Sequence, residues 1–152
     1  MIKDNNTATI EIVIRAFVEC NTKTANALPA GVAPVLTNWT ETVDATNSFN
    51  PTTGIFTCPR NGRYRVTFST AIEILQVNAY YGLRVTRNGV DVKLVNMVTV
   101  NTFAVAPFLT GVITCVAGDT LAVTAFNGGL STNEVIAPAH NTLTIEELLL
   151  SA

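Results

Sequence analysis

The side chains able to do chemistry are few and scattered. His140 is the only histidine in 152 residues, so a Ser–His or Cys–His nucleophile pair would have to use it. It follows Pro138-Ala139 and precedes a strand-like run, with no orienting third group near it in sequence. An exposed loop histidine explains it more simply than catalysis. Glu146 and Glu147 are adjacent, and a strand sends neighbouring side chains to opposite faces, so they cannot act as a catalytic pair. A solvated or inter-subunit role near the chain end fits them better. Asp91 and Asp119 stand at turns, where Asp suits the local geometry. Cys20, Cys58 and Cys115 are an odd count and do not read as a disulfide framework. Cys58 and Cys115 fall inside strand patterns, where a free thiol behaves as a small hydrophobe. No spacing suggests a metal site and no oxygen-rich run matches a calcium loop, so no catalytic residue, metal or cofactor is expected.

The basic residues allow one more reading. Arg63 and Arg65 share a face of one strand, with Arg60 just before them and Arg84 and Arg87 on a later strand. Arg63, Arg65, Arg84 and Arg87 form a candidate surface for an acidic glycan; the simpler explanation is a solvated face or inter-subunit ion pairs. The formal net charge of -2 argues against a nucleic-acid surface.

These groups must be carried by strands. In residues 49–68, FNPTTGIFTCPRNGRYRVTF, Pro51 and Gly54 make a turn, residues 55–58 a short strand, and Asn61-Gly62 a second turn. Tyr64, Val66 and Phe68 then alternate with Arg63, Arg65 and Thr67, the period of a strand with one buried face. Further strands are predicted at about 9–19, 35–43, 64–74, 77–86, 90–95, 98–103, 108–116, 120–125 and 142–150. Asn88-Gly89 and Ala117-Gly118-Asp119 are turns between them, and 22–34 and 127–140 are loops. No window keeps a 3.6-residue period, so the fold class is all-β, a jelly-roll sandwich of eight to ten antiparallel strands.

The pattern Phe49, Gly54, Phe56, Cys58, Pro59, Gly62, Tyr64 and Phe68 resembles an early hairpin of the C1q/tumour-necrosis-factor-like heads. The run from Leu83 to Gly89, the run from Gly111 to Leu121 and the closing stretch 141–145 resemble later strands of that family, in the family's order. The similarity covers about residues 25–148. It implies a trimeric, non-enzymatic binding or structural module with its terminal strand near a threefold axis. Leu148, Leu149 and Leu150, apolar on both faces of the last strand, are the expected trimer interface; an ordinary central sandwich strand would read the same way.

Composition points the same way. Charged residues are 13%, against about 25% in ordinary soluble proteins, and hydrophobic residues are 48%. Such a chain hides apolar surface in a membrane or in an assembly. No charge lies between Lys93 and Asp119, yet Asn96, Asn101, Pro107 and Gly111 break that stretch into strands, so no membrane insertion is expected. The start, MIKDNNTATIEIV, is not patterned as a signal peptide. The expectation is a free-standing head of the kind found in bacteriophage head fibres, capsid decorations and tail tips. Residues 1–24 would be an extension and attachment strand, with Ile10, Ile12 and Ile14 docking on phage capsid or tail proteins. Residues 25–152 would form the head, made in the host cytoplasm, placed on the virion and free to bind host surface glycans. The alternative is a bacterial secreted or surface binding module.

Overall fold

The computed structural model describes residues 15–72, 76–98, 105–135 (backbone alone for 133–135) and 141–148. Ile10, Ile12, Ile14, His140, Leu149 and Leu150 lie outside the described residues. The strands are β1 (Phe17–Thr22), β2 (Asn26–Leu28), β3 (Trp39–Asp44), β4 (Phe49–Asn50), β5 (Ile55–Thr57), β6 (Gly62–Ser69), β7 (Tyr80–Arg87), β8 (Val90–Val98), β9 (Phe108–Cys115), β10 (Thr120–Asn127), β11 (Asn133–Val135) and β12 (Thr142–Leu148). One five-stranded sheet runs β3-β1-β12-β6-β9, the other β4-β5-β10-β7-β8, and β2 with β11 forms a small ladder. Every pairing between these strands is antiparallel.

Alternation places the core. Val18 and Cys20 of β1, Tyr64, Val66 and Phe68 of β6, Leu109 and Ile113 of β9 and Leu143 and Ile145 of β12 turn inward from the first sheet. They meet Phe56, Tyr81, Leu83, Val85, Leu121, Val123 and Ala125 of the second. Face-to-face burial of these residues is the main stabilising term. Phe56 packs edge-on against Tyr64 at 5.7 Å between ring centroids, so the hairpin that was legible in sequence joins the two sheets. Trp39 closes one side, edge-on to Phe49 and Phe68, its Nε1 donating to the Leu36 carbonyl at 2.8 Å. Gly54 lies beneath it at φ 71°, where a Cβ would fall 2.0 Å from the Leu36 oxygen.

Three expectations are revised. The boundary at residue 24 does not divide attachment from head. β1 lies between β3 and β12, with Val18, Cys20 and Thr22 buried, because its ladder partners are the last strand and β3. The strand expected over 9–19 is therefore a sandwich strand over Phe17–Thr22 in its described part. The break expected near residue 96 is absent: β8 runs unbroken for nine residues to Val98. Asn96 is paired with Gly82, whose missing Cβ leaves room for the amide; a Cβ there would lie 2.3 Å from Asn96 Oδ1.

Two outcomes follow. Deleting residues 2–18 removes a central strand's pairing and should abolish cooperative unfolding, whereas deleting 2–13 should leave it intact; circular dichroism melts of both truncations check this. Tyr64→Ala and Phe68→Ala should each lower stability by about 3–5 kcal/mol. Exposed Arg63→Ala should cost under about 1 kcal/mol. Equal midpoints for the three variants would show that the register is wrong.

Candidate functional site

The outer face of the first sheet follows from its registers. Leu148 lies opposite Arg63 and Arg63 opposite Thr114; Glu146, Arg65 and Val112 form the next row. A row of small polar residues follows, Thr144-Thr67-Thr110, and then Thr142 and Ser69 beside the ring of Phe108. Hydroxyls bridge the strands at Thr67–Thr110 (3.2 Å) and Ser69–Thr142 (2.7 Å). Leu148 is half-buried in the single chain and adjoins Arg63. The expected trimer-interface leucine and the expected ligand-binding arginine thus occupy one patch.

The four arginines do not form one surface, because β6 and β7 belong to different sheets. Arg65 Nη1 pairs with Glu146 Oε1 at 2.5 Å. Arg84 Nη1 pairs with Asp91 Oδ2 at 2.8 Å, and its guanidinium lies 4.5 Å from the centre of the Phe126 ring. Arg87 Nη1 donates to the Thr114 carbonyl at 2.7 Å. Of the four, Arg63 alone makes no side-chain bond among the described residues. An acidic ligand would have to displace ion pairs at Arg65 and Arg84.

Glu146 and Glu147 do face opposite sides, and the inward one forms a clamp. Glu147 Oε1 accepts from Arg60 Nε at 2.6 Å and Oε2 from Arg60 Nη2 at 2.8 Å. Oε2 also accepts the Ala16 amide at 3.1 Å, and the Glu147 amide donates to the Ala16 carbonyl at 2.9 Å. The bidentate Arg60 bond holds the Glu147 carboxyl below its usual range, against the opposing effect of burial. The clamp ties the start of β1 to the end of β12 beside the β5–β6 turn. The sequence signal for it was a carboxylate on the inward side of a strand, which requires a partner. At this end the turns are short: 58–61, 88–89 and 116–119. Thr22, Trp39, Ser69, Tyr80, Val98, Phe108 and Thr142, the strand ends that flank the longer connections, lie at the opposite end.

The thiols are packing groups. Burial pushes Cys20 up to about 12 and also raises Cys58 and Cys115, so all three stay protonated at neutral pH. Among the described residues no cluster of three His, Cys, Asp or Glu could hold a metal ion. No described helix is long and apolar enough to cross a membrane.

Leu130, Val32 and Val77 are exposed on the connections, and a second group of large apolar side chains left in water lies on and beside β8 and β9. Val90, Leu94 and Val98 of β8, Tyr80 paired with Val98, Phe108 of β9 and Val116 just beyond it are each more than half exposed. β8 and β9 are edge strands of opposite sheets. The Lys93 stem crosses from β8 onto Gly111 of β9, 2.8 Å from where a Cβ would stand, so the two edges adjoin, with Leu94 and Val98 on the outer face of the second sheet and Phe108 on that of the first.

No protein-family model matches the sequence, and no relative is found among the curated proteins. Solved structures match along almost the whole chain. The globular domain of zebrafish complement 1qA has a TM-score of 0.64 at 17% identity, over 90% of this chain and 98% of that one. Eiger TNF from S. frugiperda has a TM-score of 0.69 at 13% identity, over 92% and 96%. Murine APRIL at pH 5.0 has a TM-score of 0.68 at 12% identity, over 88% and 99%. The fold is a C1q/tumour-necrosis-factor-like jelly roll.

The clamp gives a pH test. A carboxyl held low when folded adds stability above its unfolded value, roughly 4.3, and that stability is lost as pH falls through the folded value. Glu147→Gln should therefore melt below the parent at pH 7, and the gap should close as pH falls below about 4. A gap independent of pH would show that the clamp acts through packing alone.

Proposed function

We propose that this chain is a non-enzymatic structural protein of a bacteriophage virion, a head fibre, capsid decoration or tail-tip component. Its C1q/tumour-necrosis-factor-like head assembles as a homotrimer and projects from the particle toward host surface glycans. The observation that carries this is the apolar side built from β8 and β9. A solitary domain gains nothing from holding Tyr80, Leu94, Val98 and Phe108 in water. A closed ring of like chains covers such a surface on every member, and three is the number that the resemblance to C1q/tumour-necrosis-factor-like heads implies. With 13% charged residues, burial rather than ion pairing drives the assembly.

The chain ends support projection. The clamp fixes Ala16 at the short-turn end. A capsid or tail protein that grips Ile10, Ile12 and Ile14, just ahead of Ala16 in sequence, would leave the Thr22 and Trp39 end of the sandwich pointing away. Leu148 sits at the same short-turn end beside Arg63, where a neighbouring chain completes its burial. In that assembly Arg63 and Arg65 are interface residues rather than a ligand surface.

The trimer should sediment at three times the 16.2 kDa chain mass and should persist in about 1 M salt, which screens exposed ion pairs and not apolar contact. Leu94→Asp and Phe108→Asp should each shift it toward monomer, since a buried unpaired carboxylate is costly. Gold-labelled antibody should decorate intact virions. A wild-type monomer at micromolar concentration sinks the assembly, and unlabelled particles sink the virion role.

A further inference from the structure

The side of the sandwich opposite β8 and β9 is different in kind. There the edge strands are β3 and β4, and two hollows share Pro51. The larger, about 750 Å³, is lined by Asn47, Asn50, Thr53, Ile55 and Thr57 between the rings of Pro51 and Pro59. The smaller, about 160 Å³, holds Lys23, Asn38 and Thr52 over the edge of Trp39. No charged side chain lines the larger hollow. The Asn47 amide and the Thr53 and Thr57 hydroxyls make no hydrogen bond among the described residues. Their backbones are fixed nonetheless. Asn47 is held at φ 52°, Asn50 Oδ1 accepts the Thr52 and Thr53 amides at 3.0 and 3.2 Å, and the Thr57 amide donates to the Ser48 carbonyl at 2.8 Å.

We propose that the β3–β4 side is a binding groove for an uncharged oligosaccharide, seated in the larger hollow and extending past Pro51 toward Lys23. This names the site and ligand class of the projecting-head reading and rests on it. Free amides and hydroxyls on a rigid hairpin match the hydroxyls of a pyranose, and the uncharged lining of the larger hollow, where the ligand is seated, gives an anion nothing to pair with. The Pro51, Pro59 and Ile55 surfaces offer apolar contact to the C–H face of a sugar ring. An added peptide strand is the poorer occupant, because β4 is two residues long and Pro51 ends its free edge.

The test is titration of the isotope-labelled full-length protein with maltohexaose, chitohexaose and a heparin hexasaccharide, followed by amide resonances. At least one of the neutral hexasaccharides should shift residues 47–57 and the Trp39 indole. Thr53→Val with Thr57→Val should weaken that binding about tenfold or more without changing the melting temperature, and Arg63→Ala should leave it unaltered. Binding of heparin alone, shifts centred on Arg63, or no response to either neutral probe at about 10 mM would overturn the groove. Those outcomes leave trimer and virion intact, whereas a monomer absent from particles fails the underlying reading whatever the titration shows.

Discussion

β12 is the last strand of the sandwich and sits in the middle of its sheet, paired with β1 on one side and β6 on the other. Its register to β1 (Val18 with Ile145, Cys20 with Leu143) and to β6 (Val66 with Ile145, Phe68 with Leu143) lines up three strands of inward apolar residues in one step. Without it, β1 and β3 have no link to β6 and β9, and half the inner face has nothing to pack against. The Glu147 clamp fastens the same strand at its end, where Arg60 and the Ala16 amide converge on one carboxylate. Contacts of such sequence separation carry a loop-closure cost before any burial repays it, so the fold should form slowly and as a unit.

Once β12 is in place, the two open sides of the sandwich follow. β3 and β4 close one side with polar hairpin residues, β8 and β9 the other with valine, leucine and aromatic rings. Sheet edges invite unwanted pairing, and both edges here have a defence: Pro51 follows two-residue β4, and the apolar β8–β9 side is suited to cover by another copy. In the proposed assembly that difference separates association from recognition. The ends of the sandwich are divided too, with the clamp and the tight turns at one and Thr22, Trp39, Val98, Phe108 and Thr142 at the other.

Local chemistry was legible in the sequence, and long-range pairing was not. Residues 49–68 announce their hairpin because Pro51, Gly54 and Asn61-Gly62 act over a few residues, and the alternation through Tyr64 and Phe68 matches their full burial. β1 was misplaced because its membership of the sheet depends on partners some 120 residues on. β2, three residues inside an apparent loop, is too short to show a period. Asn96 looked like a turn because the space opposite it is supplied by Gly82 on another strand. The arginines looked like one basic surface because sequence does not assign β6 and β7 to different sheets. The groove at Asn47, Thr53 and Thr57 left no signal beyond ordinary turn composition, since its free hydroxyls become visible only once the hairpin's own bonds are known.

The central claim is that the apolar β8–β9 side is covered by like chains while the β3–β4 side stays open. A cryo-electron microscopy map of the purified full-length protein tests it most directly. The account predicts threefold density with Leu94, Val98 and Phe108 buried between neighbours, the short-turn ends gathered together, and the Asn47–Thr57 side facing solvent. A map in which the β8–β9 side is bare, or in which the β3–β4 side forms the contact, would contradict it.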